Sequence, residues 1–470
     1  MNFYFDASKV LDRLDAKQGS IKGVLATLPD KNRARTAALV IETLKYKAVL
    51  SDVITASKLL TEEKKKITSL NLALVLVHDV LLSSGIQAGD GPVKQAILRH
   101  KTRLRSEFQR IKVKRGAKSD EELACPSDER AVRIPRYVRV NTLLWTTREA
   151  IRYYTEKGFQ ISDPFSTNKA FAQDEHIPDL LLFNPRAQFH NDICYKTGKI
   201  ILQDKASCFP ATVLAPPSDE HGVVIDATAA PGNKTSHLSA LMGGKGKLYA
   251  FERDKRRFST LKTMLVKATC KNVEAVNVDF LSIDPLTPKY AKATHILLDP
   301  SCSGSGIVNR LDHLLETGKL LLTFQNEEQE ERLNKLATFQ LMMIKHAMKF
   351  PSAQKIVYST CSIHATENER VVCEALKSEE AQKENFKLAP RKDVLPQWHR
   401  RGLREGLDSP EHASSLVRCS PDSDATNGFF VSCFVKGTQV THSVDALRTR
   451  KRKHIDEGPK KRARTETTCT

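Results

Sequence analysis

The chain has 470 residues, 40% hydrophobic and 27% charged, the balance of a soluble globular protein with room for two or three domains. Its ten cysteines are scattered with no CxxC or Cys/His ligand spacing, which argues against a disulfide framework and a zinc site and reads as reduced thiols in an intracellular protein. The net charge of +19 favours a polyanionic partner, and Asp6 with no basic-then-apolar opening predicts no secretory signal.

Residues 1–118 read as a helical N-terminal domain, because apolar positions recur at three and four through "TAALVIETLKYKAVLSDVITASKLL". The run "LNLALVLVHDVLL" is too short to cross a bilayer and is broken by Asn71, His78 and Asp79, so a buried helix is expected and no membrane. "KTRLRSEFQRIKVKRGAK", residues 101–118, carries eight basic residues against one acid and is expected to touch nucleic acid, or else to form a solvated helix face. A polar linker follows. Residues 130–205 then form a small mixed α/β unit, beginning with "RYVRVNTL", whose Arg136, Arg139 and Asn141 either face RNA or cap the sheet.

From residue 206 to 436 short apolar strands alternate with longer helices. That alternation predicts a doubly wound, mostly parallel seven-stranded α/β sheet, closed by "GFFVSCFVK". Residues 440–470 form a basic tail expected to be disordered. Within it "RTRKRKHIDEGPKKRAR" holds nine basic residues against two acids and resembles a nuclear import signal read by import receptors.

Open α/β sheets bind ligands at the carboxyl ends of their strands, and those ends are where the polar residues gather. "VVID" ends at Asp226 and turns through "ATAAPGNKT", where Pro231 stiffens the turn, Gly232 admits close backbone approach and the next helix begins near Lys234. The turn is neither a dinucleotide fingerprint nor a phosphate loop, which argues against NAD and ATP. Glu252, 26 residues beyond Asp226, is placed to accept from ribose hydroxyls, and Asp279 from an adenine amino group. Singly each acid reads equally well as a helix cap. Three in succession beside an APG turn point to S-adenosylmethionine.

The next strand ends "LLDPSCSGSG", with Asp299 and Cys302, and another ends "KIVYSTCS", with Cys361. Two thiols and an acid on one rim suit methylation of a pyrimidine carbon. C5 of cytosine is a weak nucleophile until a thiolate adds to C6, and a second thiol or base can support the collapse of that adduct. Asp299 would bind the base around N3 and N4, and Lys234 would polarise the base or bind a phosphate. A depressed pKa is needed at the attacking thiol.

"DATAAPGNKT", "DPSCSGSG" and "YSTCSIHATENE" resemble the Nop/Sun family of RNA cytosine-C5 methyltransferases, over about residues 130–436. The resemblance implies a class I methyltransferase fold that binds S-adenosylmethionine and no metal. It places the C6 nucleophile at Cys361 and product release at Cys302. It assigns cofactor binding to Thr228, Ala229, Ala230, Pro231, Gly232, Asn233 and Lys234, with Glu252, Arg257, Asp279 and Asp299. Thr228, Glu252 and Ser301 depart from the family's usual cysteine, aspartate and proline, each keeping local polarity and size. "TNGFF" and "QGSIKGV" look closest to the fifth-member branch, which implies large-subunit ribosomal RNA or a pre-ribosomal particle as partner, a nucleolar site and a monomer. Transfer RNA as substrate, or a noncatalytic ribosome-assembly scaffold, are the alternatives.

Overall fold

The computed structural model describes residues 1–436, apart from 20, 126–128, 309–313, 316–323, 406 and 408. The basic tail lies outside the described residues.

The N-terminal region is helical. Helices Asn2–Asp15, Asp30–Lys45, Lys47–Ala56, Leu70–Leu82 and Lys101–Lys114 enclose a core of their own around Tyr4, Leu50, Leu74, Leu76 and Leu104. Leu70–Leu82 is the apolar run, started by Ser69, whose hydroxyl accepts from the Leu72 amide at 3.1 Å. It is the central, buried helix, and no helix among the described residues is long and apolar enough to cross a membrane. The basic helix is less bare than its composition suggests. Arg103 pairs with Glu62, Arg110 with Glu107, Lys112 with Asp120 and Arg115 with Asp52, so half of the eight cations in 101–118 are partly neutralised inside the domain.

The second region is a five-stranded sheet. Its strands are β1 (Arg136–Val140), β2 (Gln160–Ile161), β3 (Ala170–Gln173), β4 (Leu180–Phe183) and β5 (Ile200–Leu202), in the order β2-β3-β4-β1-β5. Side chains alternate across β1. Val138 and Val140 enter the unit's own core, while Tyr137 and Arg139 face the large domain. Arg139 is fully buried. Its Nε donates to Gln203 Oε1 at 2.8 Å, and its Nη2 donates to Ser236 Oγ at 2.8 Å and to Asn233 O at 3.3 Å. Asn141, also buried, donates from Nδ2 to Gly198 O and Ala268 O, both at 2.9 Å. Neither residue faces RNA. They are joints between the small unit and the large domain, and of the three only Arg136 is exposed.

The third region is built on β6 (Val223–Asp226), β7 (Lys247–Phe251), β8 (Val273–Val276), β9 (His295–Leu298), β10 (Lys355–Thr360), β11 (Phe386–Leu388), β12 (Val417–Cys419) and β13 (Phe429–Lys436). Seven strands run β11-β13-β10-β9-β6-β7-β8. The pairs among β6–β10 are parallel, and β13 is antiparallel to β10. An eighth strand, β12, shares the outer edge of β13 with β11: β11 pairs residues 434–436 and β12 pairs 429–431. Both faces are covered. Ile225, Ile296, Leu298, Ile356 and Tyr358 pack against helix Phe324–Met348, while Val224, Leu297 and Val357 pack against helices Lys205–Leu214 and Asn233–Leu241. Each such buried side chain stabilises the fold by about 1.5–3 kcal/mol. The strand order reverses at β6 and β9, so the crevice opens at the carboxyl ends of those two strands.

Candidate active site

The turn after β6 is stitched by Asp226. Its Oδ2 accepts from the Thr235 hydroxyl at 2.8 Å and its Oδ1 from the Thr228 amide at 3.3 Å, so one buried carboxyl ties the strand end to the turn and the following helix. Burial pushes this carboxyl up to about 6. Gly232 has φ 112°, and a Cβ there would lie 3.1–3.2 Å from Leu261 and Met264; left-handed backbone and close packing both require glycine.

A cavity of about 530 Å³ sits on the strand ends. Thr228, Ala230, Pro231, Glu252, Arg257, Asp279, Asp299, Cys302 and Cys361 line it, so the structure brings nine expected residues to one space. Ala229, Gly232 and Asn233 stand behind the turn. The Ala229 amide donates to Phe251 O, Gly232 packs on the next helix, and the Asn233 carbonyl accepts from Arg139. Lys234, in the first turn of its helix, reaches the site through Asp299.

Glu252 follows β7 directly and is 5% exposed. Its Oε1 accepts from the Asp254 amide at 2.8 Å and its Oε2 lies 3.5 Å from Arg257 Nη1. Arg257 Nη2 also donates to Ala230 O at 2.7 Å, binding this acid to the turn. Asp279 stands three residues beyond β8 rather than at its end. Its Oδ1 caps a short 3-10 turn by accepting from the Leu281 amide at 3.0 Å. Phe251, Phe280, Phe339 and Met343 supply apolar wall.

Across the cavity, Cys302 Sγ and Cys361 Sγ are 3.1 Å apart. Asp299 links them to the turn: its amide donates to Thr228 Oγ1 at 2.9 Å, Oδ2 accepts from Lys234 Nζ at 2.7 Å and Oδ1 accepts from the Ser359 hydroxyl at 2.8 Å. Lys234 also donates to Ser207 Oγ at 3.1 Å and lies over the Phe429 ring. Burial opposes the lysine's charge, but Asp299 more than offsets it and holds the pKa raised. The thiols are driven apart. The hydrogen bond it makes to Cys361, with burial, pushes Cys302 far up; the same bond, helped by the Lys234 cation, brings Cys361 down. Cys302 is the S–H donor and Cys361 the incipient thiolate.

Several residues absent from the sequence reading fix this geometry. Glu367 Oε1 accepts from the Ser303 amide at 2.9 Å and from Gln340 Nε2 at 3.0 Å, and Gln340 also donates to Ser301 O at 3.1 Å. Asn368 Oδ1 accepts from Thr360 Oγ1 at 2.5 Å, and its Nδ2 donates to Ser362 O at 2.9 Å. The motif "HATENE" contained Glu367 and Asn368; nothing marked Gln340, Ser207 or Ser359. The Gly306 amide donates to Cys361 O at 2.9 Å, and the Gly428 amide donates to Gly306 O at 2.7 Å. These three loops are thus held backbone to backbone.

Strand order, crevice and acids at successive strand ends define a class I S-adenosylmethionine-dependent methyltransferase. The residues fit that cofactor: a buried acceptor at Glu252, a second acid at Asp279 and apolar walls of suitable size. Residues 211–435 match the family described as 16S rRNA methyltransferase RsmB/F. Residues 35–124 and 134–203 match the N-terminal and ferredoxin-like domains of NOL1/NOP2/Sun domain family member 5. The 25S rRNA (cytosine-C(5))-methyltransferase rcm1 of Schizosaccharomyces pombe is 43% identical over 92% of this chain and 91% of that protein. A 28S rRNA (cytosine-C(5))-methyltransferase of Mus musculus is 40% identical over 94% and 92%. A methyltransferase homolog protein from Pyrococcus horikoshii shares the fold, with a TM-score of 0.51 at 23% identity over 82% of this chain and 99% of that one. The chain belongs to the NOL1/NOP2/Sun domain family and is an RNA cytosine-C5 methyltransferase.

Proposed function

We propose that the chain methylates C5 of a cytosine in large-subunit ribosomal RNA through a transient bond between Cys361 Sγ and C6 of the ring. The observation that carries this reading is the pair of thiols 3.1 Å apart on the cavity rim, with the Lys234–Asp299 ion pair beside them. The relatives named above, similar over more than nine-tenths of their length, act on 25S and 28S rRNA.

S-adenosylmethionine, when bound, supplies the electrophilic methyl group. Glu252 would accept from its ribose hydroxyls and Asp279 from its adenine amino group, while Arg257 holds Glu252 and the Thr228–Gly232 turn in register. The Cys361 thiolate adds to C6, the C5=C6 electron pair moves onto C5, and C5 takes the methyl group. The C5 proton then passes to water, and the returning double bond expels Cys361 as thiolate. Cys302, still protonated beside it, donates a hydrogen bond to the leaving sulfur. Asp299 accepts from Lys234 and Ser359 and keeps acceptor capacity for the N4–H of cytosine, a donor that uracil lacks. In this reading the protein works as a monomer in the nucleolus, imported through residues 448–464.

RNA containing 5-fluorocytidine tests the chemistry, because fluorine cannot leave C5 as the proton does and the adduct accumulates. Cys361→Ser should lose both the trapped complex and methyl transfer. A trapped complex persisting through Cys302 would overturn the assignment. Bisulfite mapping of total RNA with and without the protein should lose one large-subunit position; loss at a transfer RNA position would move the substrate there.

A further inference from the structure

A second cavity, about 430 Å³, lies on the other side of the Cys302 loop. Ile307 lines the first cavity and its neighbour Val308 lines the second, so one short loop separates them. The link to the chemistry is tight. Val308 donates its amide to Asn427 Oδ1 at 2.8 Å, Gly428 donates to Gly306 O, and Gly306 donates to Cys361 O.

Most of the polar groups around this second cavity are already engaged. Asp204 Oδ1 accepts from Thr426 Oγ1 at 2.6 Å and from the Ala206 amide at 3.1 Å, and Oδ2 accepts from Asn427 Nδ2 at 2.8 Å. Gln203 accepts from Arg139 and donates to Ser207 O, and Tyr137 Oη donates to Ala425 O at 2.8 Å. Burial raises the Asp204 carboxyl, which weakens its repulsion of an anion. What remains is apolar wall and cation. Val132, 69% exposed, stands with Ile134, Pro135, Leu202 and Val308, and the exposed Arg136 and Arg186 have no ion pair or side-chain hydrogen bond among the described residues.

We propose that this slot holds the base of a nucleotide flanking the target cytosine, with Arg136 and Arg186 on the adjoining phosphates. An apolar-walled slot with two unengaged guanidinium groups suits a flat ring joined to an anion. Extruding a target base costs a few kcal/mol, which contacts to the neighbouring strand offset. Because the slot's other polar side chains are spent on one another, no group is left to read a base edge, and the subsite accepts any of the four bases. The proposal rests on the reading that a cytosine within RNA is the substrate.

The test uses the full chain and a fluorescein-labelled 14-nucleotide single-stranded RNA with one central cytosine. Abasic sites or base swaps are placed at each of the two positions on either side. One abasic position should weaken binding about 10-fold, whereas base swaps there should change it by less than about 3-fold. Arg136→Ala with Arg186→Ala should abolish that sensitivity and reduce the slope of log K against log salt by about one. Failure of every probe to bind, indifference to all abasic positions, base swaps as damaging as base removal, or full sensitivity retained in the double variant would each overturn the subsite. Trapping by 5-fluorocytidine in the same RNA reports on Cys361 separately. Coupling without trapping would leave the subsite standing and remove the adduct chemistry, and trapping without coupling would do the reverse.

Discussion

Cys302 and Cys361 are 59 positions apart in the chain and 3.1 Å apart in space, and their division of labour follows from what surrounds them. Both are largely buried thiols, yet only Cys361 is brought down, because Cys302 donates to it and Lys234 stands near as a cation. Lys234 keeps its charge in a buried setting only because Asp299 is 2.7 Å away. Removing the cation by Lys234→Met should therefore raise the Cys361 thiol. The acid limb of kcat/KM, which follows the thiolate fraction of free enzyme, should move to higher pH; an unchanged profile would dissociate the lysine from the nucleophile. Trapping by 5-fluorocytidine-containing RNA should slow in parallel.

Two turns carry the site, and each depends on a group that tolerates little change. Asp226 binds its proton more tightly in the folded chain than an ordinary carboxyl does. Its contribution is full below the ordinary carboxylate range and is lost as pH rises through about 6. Asp226→Asn has no proton to lose, so its stability should improve relative to wild type between pH 4 and pH 7, by up to about 3 kcal/mol. Thermal unfolding of both proteins across that window measures the difference, and parallel curves would refute the assignment. Gly306 lies so close to Gly428 that a Cβ would come within 2.3 Å of the Gly428 carbonyl oxygen. Gly306→Ala must part the loops that hold Cys302 against Cys361. Methyl transfer should fall by about 100-fold, the cost of a misplacement near 1 Å, while calorimetry finds cofactor binding nearly unchanged.

At the scale of the molecule, Arg139 fastens the five-stranded unit to the helix that carries Lys234. It has no carboxylate partner, and burial pushes it down to about 10, so it remains a cation at neutral pH held by amide and hydroxyl oxygens. Arg139→Ala strands the buried Gln203 and Ser236 and should destabilise the chain by about 2–3 kcal/mol. Limited proteolysis should then cut within 130–205 before the catalytic sheet. Equal resistance to cleavage would show that the joint lies elsewhere. Arg136, three residues earlier, is exposed and free to meet an anion. One strand thus divides its cations between a joint and a surface.

The sequence by itself determined the elements and the chemistry. Period-two and period-three-to-four patterns give the order of strands and helices, and acids and thiols at strand ends are visible because a sheet must place them on one rim. The basic helix was legible as charge but not as potential, since Glu62, Asp52 and Asp120, which neutralise part of it, come from other elements or the following linker. Arg139 and Asn141 read equally well as RNA contacts or as sheet caps, and only packing against Ser236 and Ala268 decided that they are buried joints. The edge strand β12, the Gln340–Glu367 lock and the protonation order of the two thiols were likewise set by the tertiary structure. Each depends on which groups meet across dozens of residues, and a chain's local pattern encodes the direction of a side chain but not its partner.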